Sequence, residues 1–256
     1  MARGHHRRIV AMIAALAAGL GVAACSVSPE PQAASPAATQ DAHLPPGFDT
    51  TFRWSATPVL DPQSAEGTFV RAYVESFELA NAGASVEWGY PGFAEASPSN
   101  IDQMVTAYPS GVSDARRQVG SAFYTGMRRT DDADWTRIVL CRQGYHSVER
   151  DGAGPDRSWA IGYDTSRPVE IDIRRTGDRP PAAPRGGQRT PEVNVFGGWY
   201  TSRYDFAALY PTPTTDQKVC AATRQAGMPH WLPTQGDDPW PVSPAVPGWS
   251  AYPGVG

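Results

Sequence analysis

Phe69, Tyr73, Phe77 and Ala80 follow one another at three- and four-residue intervals, with Val70 and Val74 beside them. At 3.6 residues per turn these side chains share one broad face of a helix. A helix with so wide an aromatic stripe has to lay it against a second apolar layer. Asp61-Pro62 supplies an N-cap and a first-turn proline, and Gly83 a stop, so the spacing predicts a helix from about 61 to Ala82. The apolar period then changes. A short helix over Asn100–Ala107 is followed by strand-like stretches from Gly120, over Trp135–Tyr145 and over Trp159–Tyr163. Val169, Ile171 and Ile173 alternate with Glu170, Asp172 and Arg174, the pattern of a half-buried strand. Val193–Tyr204 reads as a last strand bent at Gly197-Gly198, and a late helix capped by Thr214 or Thr215 runs to Ala226 before Gly227. Phe48, Phe52 and Trp54 form an extended lead-in. Helices first and strands later make an α+β chain, with N-terminal helices packed on a curved antiparallel sheet.

The first 24 residues are of another kind. Arg3, His5, His6, Arg7 and Arg8 precede an apolar run, Ile9–Ala24, that ends in small residues before Cys25. This is the pattern of an export signal. Val22-Ala23-Ala24-Cys25 resembles the lipobox of bacterial lipoproteins, an aliphatic residue and two small ones before a cysteine. The resemblance implies that a diacylglyceryl group (palmitate-like chains) is carried by the Cys25 sulfur. It also implies cleavage before Cys25 and a mature protein anchored on the exterior face of the cell membrane. The expected organisation is a signal peptide over 1–24, a Pro/Ala/Ser tether over 25–47, a domain over 48–228 and a Pro/Gly/Trp-rich tail over 229–256. A single lysine, Lys218, among many arginines, with abundant Ala, Gly and Pro, resembles the composition of actinobacterial proteins. The net charge of −4 becomes more negative once the leader is removed, which argues against nucleic acid as a partner.

Of three cysteines, a lipidated Cys25 leaves Cys141 and Cys220 in an oxidising compartment. A bridge between them is the economical reading. Two buried thiols or a pair of metal ligands is the alternative, but neither cysteine has a partner at C-x-x-C or H-x-x-H spacing. The bridge would staple the late helix to the strand holding Cys141.

The early aromatic helix, the turn Tyr90-Pro91-Gly92-Phe93 and a cysteine at a strand end together resemble the NTF2-like cone fold and secreted actinobacterial lipoproteins of that build. The resemblance implies a pocket between helix and sheet, lined here by Phe69, Tyr73, Phe77 and Tyr124. Some cone proteins are isomerases or dehydratases and many only bind, so fold alone decides nothing about catalysis.

A search for chemistry finds no G-x-S-x-G, S-x-x-K, H-E-x-x-H or P-loop, and nothing that demands a cofactor. His146 reads as a strand-edge residue. Asp131, Asp132 and Asp134 lack the glycine and glutamate of a calcium loop and read as a solvated turn. Arg174, Arg175, Arg179, Arg185 and Arg189 gather on one long loop, also read as solvated. Trp231, Trp240 and Trp249 recur at nine-residue intervals in the tail. They either pack the tail over the domain or stack on cell-wall glycan. The sequence therefore points to a lipid-anchored envelope protein that binds a small apolar ligand, a protein partner or wall glycan. An NTF2-like enzyme and an envelope lipid carrier are the rival readings.

Overall fold

The structure, a computed structural model, describes residues 43–107, 117–150, 158–182, 186–206 and 213–250. The leader, Cys25, the tether up to residue 42, Arg185 and the last six residues lie outside them.

The chain is α+β, with a mixed sheet of seven strands among the described residues that does not close on itself. The lead-in is itself a strand, β1 (Phe48–Ser55). Helix α1 (Ala65–Ala82) follows, then a short α2 (Ile101–Ala107), and the chain returns as β2 (Gln118–Asp131). β1 and β2 run parallel, from Phe48 opposite Gln118 to Ser55 opposite Thr125. The expected all-antiparallel sheet is thus corrected. A helical connection of this length lets a strand re-enter beside its predecessor in the same direction, as in a βαβ unit. β2 and β3 (Thr136–Glu149) form a long hairpin, with a bulge between Gly126 and Arg128. Beyond β3 the sheet forks. One half of β3 pairs with β4 (Trp159–Tyr163), and the other with β5 (Arg167–Arg174). β6 (Tyr200–Asp205) then pairs with β5. Helix α3 (Thr215–Ala222) and a two-residue β7 (Gln235–Gly236), paired with β4, complete the order.

Local chemistry explains where the boundaries moved. Ser64, not Asp61, caps α1, accepting from the Gly67 N–H at 2.9 Å. Asp61 and Pro62 instead form a turn lying so close to the helix that a Cβ on Gly67 would sit 2.0 Å from the Asp61 carbonyl. Residues 193–199 are not a strand, because Asn194 accepts from the Phe196 N–H at 2.8 Å and turns the backbone on itself. α3 opens with a capping box between Thr214 and Gln217, as its Thr-x-x-Gln sequence invites. It stops at Ala222, short of the expected Ala226. Gln225 is drawn down onto β3, where its N–H bonds the Gln143 side chain at 3.0 Å.

The sheet is covered on both faces. On one, Phe69, Tyr73 and Phe77 of α1 pack against Ile138, Leu140 and Ile171 and against Phe93, Phe196 and Tyr204. On the other, Val119, Phe123, Tyr145, Trp159 and Ile161 meet Met228 and Leu232, with Trp240 and Val242 packed on the rim. The tail therefore builds the second layer. It also lines the outer edge of β1, where the Trp54 N–H donates to the Val246 carbonyl at 2.7 Å and the Val246 N–H to Phe52 at 3.1 Å. An edge strand otherwise open to stray pairing is thereby occupied. Trp249 is fully buried, its ring over the Arg71 guanidinium at 4.2 Å.

Cys141 and Cys220 form a disulfide, joining β3 to α3 across 79 residues. In the chain-entropy account a loop of that length contributes about 4.5 kcal/mol through the unfolded state. Cys220→Ala is expected to lose about 2–5 kcal/mol in urea unfolding. Trp249→Ala is expected to lose about 4 kcal/mol, the cost of emptying a large aromatic site.

Candidate functional site

Two glutamates of α1 point into the protein. Glu75 accepts from the Trp54 indole at 2.7 Å, the Tyr90 hydroxyl at 2.7 Å and the Trp249 indole at 2.8 Å. Arg71, one turn earlier, lies 3.6 Å from it. Burial pushes the Glu75 carboxyl upward, and Arg71 and the three donors pull against it. The site is a closed set, since each donor comes from a different element and both oxygens are occupied.

Glu78 begins a longer chain of charges. It accepts from the Tyr124 hydroxyl at 2.6 Å and from Arg142 Nε at 2.5 Å. Arg142 reaches the other way to Asp164 Oδ2 at 2.6 Å, and Asp164 Oδ1 meets His146 Nδ1 at 2.5 Å. Burial opposes the charge on both acids. The Arg142 guanidinium outweighs it, holding Glu78 below and Asp164 well below the usual carboxylate range, the latter with help from His146. An ionised Asp164 can only accept, so Nδ1 donates to it. The His146 side chain is 34% exposed. Its register partners on β2 and β4 are Gly120 and Gly162, which leave the ring standing over bare backbone. His146 is therefore an interior position of the sheet, not the strand edge its sequence context suggested.

The residues expected to line a pocket are placed together but in contact with one another and with the core. Phe69, Tyr73, Phe77 and Tyr124 are fully buried, and Tyr124 stacks on Trp54 at 4.5 Å. Burial raises the Tyr73 phenol, which faces Ser97 and Thr201. Two surface depressions can be placed on described residues away from α1. One, of about 450 Å³, is lined by Trp135, Arg174, Arg175 and Tyr200; the other, of about 250 Å³, by Gly92, Asn194 and Trp199. Neither borders the four aromatics. Asp131 is taken up by Arg129 and Thr136. In the arginine loop, Arg175 pairs with Glu66 and Arg189 with Asp49.

Glu75, Glu78 and Asp164 were invisible to the motif search. The signal was present in Arg71, Glu75 and Glu78, charged residues at four- and three-residue spacing on the flank of the aromatic stripe. Such a row normally reads as a solvated face.

The three tail tryptophans part company. Trp249 is in the core, Trp240 is half-buried, and Trp231 is 69% exposed. Trp231 and Trp240 meet edge to face with centroids 6.2 Å apart.

No known protein family, curated protein or solved structure matches this chain.

The acids of the charge chain titrate below their unfolded values, so their stabilisation is complete above the ordinary carboxylate pKa and is lost progressively as pH falls from there through their lowered native values. Asp164→Asn is expected to cost about 3 kcal/mol at pH 7 by leaving Arg142 and His146 short of a partner. The gap between variant and wild type in urea midpoint should close as pH drops from about 5 toward 2. A gap independent of pH would refute the charged assignment.

Proposed function

We propose that this chain is an exported lipoprotein, anchored through Cys25, whose domain is a non-enzymatic binding module on the outer face of the membrane. The leader, Val22-Ala23-Ala24-Cys25, supports the anchor. One observation carries the non-enzymatic reading, namely that the interior carboxylates are spent on internal donors. A general base needs a free lone pair aimed at a substrate. Glu75 gives both oxygens to three donors, and Glu78 and Asp164 are bound by Arg142, Tyr124 and His146. These networks hold elements together. Recognition then belongs to the surface, not to a cavity under α1, which favours a partner or glycan over an enclosed apolar ligand or a lipid cargo. An NTF2-like cone remains the fold relationship we propose, on the aromatic helix lying over a long bent hairpin.

His146 supports a second reading. A histidine oriented through Nδ1 by a half-buried aspartate, with its side chain partly exposed, has the form of a general base. A screen of small-molecule turnover with the purified protein distinguishes the two. Turnover that disappears in His146→Ala would overturn the non-enzymatic reading.

The anchor is tested by intact mass of the protein taken from membranes. The expected species begins at Cys25 and carries lipid, and Cys25→Ala should move the protein from the membrane to the soluble fraction. Two or more acyl chains hold a protein stably where one does not. An unmodified Cys25 in membrane-bound protein would refute the assignment.

A further inference from the structure

We infer that the loop from Trp231 to Trp240 is a recognition site for a neutral, hydroxyl-rich glycan, with the Trp231 ring as its platform. This rests on the binding-module reading above and names the ligand class.

An indole 69% exposed is unusual, because tryptophan is highly buried on average. Here the ring is held out on a rigid base. Leu232, next to it, is buried among Trp159, Ile161 and Met228. Trp240 closes the loop by setting its ring at 83° to that of Trp231, and its backbone N–H donates to the Ser147 hydroxyl at 2.8 Å. Tyr163, 43% exposed, stands alongside and donates to the Pro229 carbonyl at 2.8 Å. Gln235 and Gly236 inside the loop are paired to β4. The platform is thus preorganised, and little ordering is needed on binding.

The rim decides what the ring would meet. Asp237 and Asp238 are exposed within the same loop; the exposed Arg224 donates to the carbonyls of Met228 and Pro229, and His230, next to Trp231, is exposed as well. Carboxylates accept hydroxyls well and repel phosphates and uronates. An apolar flat face with acceptors at its edge complements a pyranose, which has C–H bonds on its face and hydroxyls around it. Single exposed aromatics of this kind fall short of the contiguous apolar patch that a protein interface presents.

The test uses the full mature chain purified from membranes in detergent, with protein-free peptidoglycan sacculi and a soluble N-acetylglucosamine tetramer as probes. Wild type should sediment with sacculi and be released by the tetramer. Trp231→Ala should weaken retention about tenfold, while Trp231→Phe keeps most of it. Both variants should keep the wild-type urea midpoint, since the ring lies outside the core. Equal retention of Trp231→Ala and wild type would overturn the inference. So would a photo-crosslinker at position 231 that joins a protein and no glycan. Failure of wild type to bind either probe also overturns it. The intact mass of the same preparation shows separately whether the anchor at Cys25 stands.

Discussion

A carboxylate buried without water is tolerable only if its neighbours replace water completely. Glu75 meets that condition through Trp54 on β1, Tyr90 in the turn after α1, Trp249 near the end of the chain and Arg71 on its own helix. The four partners span nearly the whole described sequence. Each is tied in turn. Arg71 donates to the Pro247 carbonyl at 2.7 Å, and the Tyr90 N–H to the Ser76 hydroxyl at 2.9 Å. The acid thereby fixes where the tail must lie before any apolar contact is counted. Hydrophobic burial supplies most of the favourable free energy, but it is not directional. The hydrogen bonds to Glu75 specify one arrangement of it.

Much of the architecture was legible from periodicity. The aromatic stripe of α1, the stop at Gly83, the alternation of β5, the Thr214 cap and the bridge between Cys141 and Cys220 all correspond to what the residues suggest. Those are local signals, or in the case of the cysteines a matter of elimination. The direction of β1 was not legible, because parallel and antiparallel partners have the same side-chain period and differ only in which distant strand they join. Nor was the second layer. The tail has too few regularly spaced apolar residues to announce itself as a packing element. It covers the sheet through separate anchors at Met228, Leu232, Trp240 and Val242.

The charge networks were hidden for the same reason. Glu75 and Glu78 lie on a helix whose far side a sequence reader would leave in water. Trp249 closes over Glu75, and Arg142, on the second strand after α1, waits for Glu78. Their character depends on contacts 15 to 174 residues distant. His146 looked marginal because its aspartate lies 18 positions on, past β4. A motif search reads fixed short spacings, and none of these pairs has one.

The contact between Glu75 and Trp249 also has a temporal side. A ribosome releases the chain from its N-terminus, and the final stretch is still enclosed when α1 and the β2–β3 hairpin have emerged. Until residue 249 is free, Glu75 lacks one of its donors, the edge of β1 is bare and one face of the sheet has no cover. Elements formed early can be only provisional until the segment carrying residue 249 has emerged, and the domain is then completed as a unit. Such lateness would keep a chain loose enough to be threaded if it is exported as we propose, and lets the core set only where Trp249 arrives.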